Sequence, residues 1–140
     1  MTLVVDAAPL VAAGDRNDPM QPVVERLLRA EAGPIVVPAP VSAEVDYLLA
    51  RRVGEHARQA FLDDLADGRF VVECLREHEY RVVAQLERRY ADLAPGLADL
   101  SIVVLAQRVG TRRIATFDER HFRALRPLDD GAFIVMPRDA

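Results

Sequence analysis

The chain has 140 residues, 51% of them hydrophobic and 29% charged. That size predicts one domain, residues 1–140, with a core of its own, and that balance excludes a disordered chain. The net charge of −4 does not advertise a nucleic-acid binder, and no apolar run approaches the length that spans a bilayer.

The eighteen basic residues are all arginine, so any phosphate contact must use a planar, multi-donor guanidinium. The single cysteine, Cys74, excludes a disulfide framework and is expected to be a buried small hydrophobe in a strand-like run. The opening residues lack the basic start and cleavage site of a signal peptide, and the expected location is cytoplasmic.

The first strand is Leu3-Val4-Val5, ending in Asp6, with a short helix over Ala7–Ala13. Residues 14–19 read as a loop, and an amphipathic helix covers roughly 20–32 until Gly33-Pro34 stops it. Ile35-Val36-Val37 is a buried strand. Pro38-Ala39-Pro40 closes it and opens the next helix, proline being well tolerated in a first helical turn. Val41, Val45, Leu48, Leu49 and Val53 recur there at helical spacing, and Gly54 breaks the pattern. Residues 55–67 predict a helix with Ala57, Ala60, Phe61 and Leu65 inward. Phe70-Val71-Val72 is a third strand and 76–91 a helix dense in charge. Leu97–Val109 is apolar nearly all round, which predicts a central, buried helix. Residues 113–117 form a fourth strand, DERHF a short helical turn from Asp118, and residues 132–135 a last, edge-like strand. Strands alternating with helices predict an α/β fold with a mostly parallel sheet of four to five strands flanked by helices.

Most of the acids, among them Asp63, Asp64, Asp67, Glu77, Glu79 and Glu87, fall where solvated faces or turns are expected. Four do not fit so simply. Asp6 ends the first strand, and ligands of open α/β sheets bind outside the carboxyl ends of strands. Glu44 borders an apolar stripe one turn into its helix. Asp99 interrupts the most hydrophobic helix, with Ile102 and Val103 as helical neighbours, and buried acids are rare unless paired or metal-bound. Asp118 follows the fourth strand, where it also serves as an N-cap. In a parallel sheet these positions converge at one edge. Two carboxylates about 5 Å apart repel by roughly 3 kcal/mol at an effective dielectric near 20, so a cluster of four needs protons or cations. An all-oxygen set suits Mg²⁺ or Mn²⁺, and with them phosphodiester or phosphoryl chemistry.

The blocks VVDAAPLVA, PAPVSAEVDYLL, YADLAPGLADLSIVVLAQRVG and RRIATFDERHF, in this order, make nearly the whole chain resemble a PIN domain, and within that group the VapC-type toxin ribonucleases of mycobacteria and related actinobacteria. The resemblance implies a three-layer fold and an acidic quartet of Asp6, Glu44, Asp99 and Asp118. It also implies Mg²⁺ or Mn²⁺ held chiefly by Asp6 and Asp99, with Glu44 and Asp118 completing the site directly or through waters. Thr116 matches a position that commonly carries Ser or Thr, suited to orienting Asp118 or a water. Leu100 departs from the Ala or Ser of many relatives, a matter of packing. The family further implies a homodimer, a cognate VapB antitoxin covering the groove, and tRNA or ribosomal RNA as substrate; DNA contact is assigned to the antitoxin, not to this chain. His121, three residues after Asp118, either faces the groove or is a surface histidine on a short helix; His56 and His78 read as surface residues, Asp92 as structural, and Phe117 and Phe122 as core. Basic patches fall at Arg16, Arg51-Arg52, Arg112-Arg113, and Arg120, Arg123 and Arg126. Two rivals stand beside this reading. A haloacid-dehalogenase-type phosphohydrolase needs a second Asp at position 8, which is Ala8. A catalytically inactive PIN-like binding or scaffolding module has no reason to keep the charge conflict.

Overall fold

The computed structural model describes residues 1–140. Five strands form one sheet: β1 (Leu3–Val5), β2 (Ile35–Pro38), β3 (Val71–Glu73), β4 (Arg113–Ala115) and β5 (Ile134–Met136). Their order is β3-β2-β1-β4-β5, and every neighbouring pair is parallel. Seven α-helices connect them: α1 (Ala7–Ala13), α2 (Gln21–Ala30), α3 (Ala39–Arg52), α4 (Glu55–Ala66), α5 (Glu77–Arg89), α6 (Leu97–Arg108) and α7 (Glu119–Ala124).

Parallel neighbours need crossover helices, and strands covered on both faces become continuous apolar runs. β1 and β2 show this: every residue of both is buried. The chain leaves β1 toward β2 on one side and returns to place β4 on the other. Such a reversal opens a crevice at the strands' carboxyl ends. Asp6 follows β1 and Thr116 follows β4 at that point, and the Asp6 backbone N–H donates to the Ala115 carbonyl at 2.9 Å.

Helix α6 is central as expected, with Leu100 through Ala106 all buried, packed against β1, β2, α3 and α5. Pro38 ends β2 and α3 begins at the next residue. Between α3 and α4 the backbone takes φ 143° at Gly54, a conformation that residues with a Cβ rarely adopt.

Four expectations for single residues are overturned. Cys74 is exposed, because it follows the edge strand β3, whose Val71 and Val72 are themselves 42% and 40% exposed. Ala60 is exposed on α4, where only Phe61 is fully buried. Phe117 is 37% exposed rather than core, whereas Phe122 is buried. Glu79, expected on a solvated face, is buried. Arg108 explains it. Its Nε and one terminal nitrogen donate to the two Glu79 oxygens at 3.2 and 2.9 Å, and the other reaches Glu73 Oε2 at 3.0 Å. A further bond to the Cys74 carbonyl completes a clamp joining the end of β3 and the start of α5 to α6.

Candidate metal centre

Asp6 is the deepest acid of the crevice, 8% exposed. Its position is fixed by β1 behind it and α1 ahead. One carboxylate oxygen accepts from the Ala7 N–H at 2.8 Å, which caps the helix. The other accepts from the Thr116 hydroxyl at 2.7 Å. The same Thr116 oxygen accepts the Asp118 backbone N–H at 3.0 Å. Thr116, 2% exposed, therefore ties the ends of β1 and β4 together. It orients Asp6 and the Asp118 backbone rather than the Asp118 side chain.

The four acids of the quartet line one cleft of about 630 Å³, together with Asp18, Arg52, Phe117, His121 and apolar residues of α1 and α3. Asp99 enters from the first turn of α6, half-buried. Glu44 comes from α3 and Asp118 from the N-cap of α7, both exposed at the rim. The Asp118 carboxylate accepts from the His121 N–H at 3.1 Å.

The electrostatics follow the depth. Burial pushes the Asp6 pKa up to about 6, against the hydrogen bonds from Thr116 and Ala7, and the charges of Asp99 and Glu44 push it further up. Burial raises Asp99 too; Gly96 and His121 pull it down and Asp118 pushes it up. Glu44 is raised by burial and by Asp99, while Arg52 draws it down. Asp6, Glu44, Asp99 and Asp118 thus act on one another as a connected set.

No three acidic, histidine or cysteine side chains are close enough to form a preassembled ligand group. The acids that line the cleft would offer a divalent cation oxygen donors. Mg²⁺ retains several waters and takes only one or two carboxylates from the protein. The donor set around Asp6 is oxygen alone, and a buried carboxylate with so high a pKa lacks a counter-charge.

Of the two places open to His121, the surface and the groove, the structure shows the groove: it lines the cleft. Its Nδ1 is buried without a hydrogen-bond partner, 3.1 Å from Asp118 Oδ2 and 3.6 Å from Asp99 Oδ2. The signal lay in the spacing: the third residue after an N-cap acid folds back over that acid. The arginine patches fare differently. Arg113 pairs with Glu31 at 2.6 Å, Arg112 with Asp129, Arg123 with Asp139, and Arg126 donates to the Gly131 carbonyl. Arg112 and Arg113 also precede or begin β4, at the amino ends of the strands and away from the cleft. Of all the arginines, Arg52 alone lines it.

A family model of the PIN domain matches residues 3–126. Ribonuclease VapC26 of Mycobacterium tuberculosis (strain ATCC 25618 / H37Rv) is 39% identical over 135 residues, which cover 96% of this chain and 100% of the relative. The crystal structure of Mycobacterium tuberculosis VapC20, a sarcin–ricin-loop-cleaving toxin, superposes with a TM-score of 0.77 at 20% identity, over 84% of this chain and 90% of that one. This chain belongs to the PIN-domain family, among its VapC-type members.

Proposed function

We propose that the protein is a toxin endoribonuclease that hydrolyses RNA phosphodiester bonds with Mg²⁺ or Mn²⁺. The observation that carries this reading is the buried Asp6 with its pKa raised to about 6, facing Asp99 and Glu44 in one cleft. The ribonuclease named among the relatives supports it over nearly the full length of both chains.

In this reading Asp6 and Asp99 would hold the cation, and Glu44 and Asp118 would complete its shell directly or through waters. A bound divalent cation lowers the pKa of water and offsets charge on the scissile phosphate. Glu44, raised above its usual range, positions the attacking water or accepts its proton. Thr116 keeps one Asp6 oxygen turned toward β4, so that the carboxylate is held before substrate arrives. The substrate is a cellular RNA, a tRNA or a ribosomal RNA loop, and the site of action is the cytoplasm. A cognate VapB antitoxin neutralises the toxin by covering the cleft, the toxin is a homodimer, and this chain makes no direct DNA contact.

The alternative is an inactive binding module. Brief induction of the protein followed by mapping of RNA ends separates the two. The ribonuclease reading expects new ends concentrated at a few sites, lost in Asp99→Asn and on co-expression of the antitoxin. Unchanged RNA ends with soluble protein present would favour the module.

A further inference from the structure

Glu44, Leu48 and Arg52 are spaced four apart on α3, and all three line the acidic cleft. Side chains at that spacing stand in a row along one helix face. Arg52 is thus displaced from Glu44 by about 12 Å of helix axis, at the end of the row away from the helix start. It is exposed and makes no ion pair or hydrogen bond within the chain, although it draws down the pKa of Glu44. Of the other patch arginines, Arg112, Arg113 and Arg123 pair with acids and Arg126 with a backbone carbonyl, and none of the seven, Arg16, Arg51 and Arg120 included, lines the cleft. The other ionisable residues that line the cleft are acids and His121.

A polyanion entering such a cleft meets repulsion except where a cation stands. A metal at Asp6 and Asp99 would serve the scissile phosphate, and one fixed positive charge remains, at the far end of the Glu44 row. We propose that Arg52 binds an RNA phosphate next to the scissile one and sets the strand's register across the cleft. Arg52 is then a positioning residue, and the inference rests on the ribonuclease reading. A guanidinium suits this task, since its paired donors match phosphate oxygens. The competing explanation is local: arginine in the last turn of a helix is favoured by the helix dipole. Arg51 occupies that same last turn, is equally exposed, and does not line the cleft. It is the internal control.

The test uses the full chain and a fluorescein-labelled single-stranded oligoribonucleotide of mixed sequence. Binding is read by anisotropy across a salt series in Ca²⁺ buffer, and turnover in Mg²⁺ buffer on total cellular RNA. Arg52→Gln is expected to weaken binding about fivefold or more and to lower the slope of log K against log salt by about 0.7, one single-strand phosphate contact. In turnover it raises KM by a similar factor and leaves kcat within about twofold, because uniform binding is lost. Arg52→Lys recovers part of the binding, and Arg51→Gln matches wild type in both assays. If Arg52→Gln equals wild type, or Arg51→Gln weakens binding as much, the assignment of Arg52 is overturned while cleavage by wild type still upholds the ribonuclease reading. A wild-type protein that neither binds nor cleaves RNA overturns both.

Discussion

Replacing Asp6 by asparagine should stabilise the metal-free protein at neutral pH. The Asp6 carboxyl is buried, and its pKa rises from 3.8 to about 6. The folded state therefore holds a proton more tightly than the unfolded state. Between those values the folded chain carries more protons, so this group's contribution to stability falls as pH rises through that window. Each pKa unit is 1.36 kcal/mol, so ionised Asp6 costs about 3 kcal/mol above pH 7. Asparagine removes that cost but cannot accept from both Ala7 N–H and Thr116 hydroxyl as the carboxylate does, which returns about 1 kcal/mol. The net gain is about 2 kcal/mol, roughly 4–8 °C in Tm for a chain of this size. Urea unfolding of both proteins in chelator, from pH 4 to 8, reads it directly. The advantage of Asp6→Asn should be smallest near pH 4 and largest above pH 7. An asparagine variant less stable than wild type at pH 8, or a difference independent of pH, would refute the charge-burial argument.

Mg²⁺ or Mn²⁺ should reverse that ranking. A cation at 100 times its Kd stabilises the wild type by about 2.7 kcal/mol; thermal melts of wild type should rise with added metal, and those of Asp6→Asn and Asp99→Asn should not. Thr116→Val removes the hydroxyl that bonds Asp6 and leaves the Asp118 N–H unpaired. It should cost about 1–2 kcal/mol in urea unfolding and move the acid limb of the metal-binding pH profile upward, because Asp6 loses a bond that favours its charged form. Arg108→Met breaks the clamp on Glu73 and buried Glu79 and should destabilise by about 1–3 kcal/mol at pH 7, since water still reaches part of the clamp. Burial opposes ionisation of Glu79, but bonds from Arg108 and the Arg76 backbone hold its pKa below the usual range. The clamp's contribution is therefore lost as pH falls through that lowered value, and Arg108→Met should lose less of its stability there than wild type. A melt insensitive to Arg108 would show that α5 is held by its apolar face alone.

The sheet was legible because its strands are short apolar runs separated by helices of clear period, and the all-parallel arrangement follows from those crossovers. Asp6 and Asp99 were legible because each carboxylate interrupts an apolar context, and the structure brings both to one cleft. What the pattern could not reveal was which side of an edge element meets solvent. Val71, Val72 and Cys74 look like core by composition, yet β3 is the edge of the sheet, where both of its faces stay partly open. Phe117 reads as the end of a buried strand, but the chain has already left the sheet at Ala115 and turned into the cleft wall. Glu79 and Arg108 are 29 residues apart, and a buried pair at that separation leaves no local signature. The spacing of His121 from Asp118 left both a surface and a groove-facing place open; its position over Asp118 depends on how the N-cap turn closes.

The account depends most on a cation shared by Asp6 and Asp99 during RNA cleavage. Incubation of purified protein with total cellular RNA in Mg²⁺, in chelator, and in Mg²⁺ with Asp99→Asn addresses it in one gel. The account predicts discrete fragments in the first lane alone, with the Asp99→Asn protein folded by circular dichroism. Fragments of the same sizes in chelator or from Asp99→Asn would contradict it.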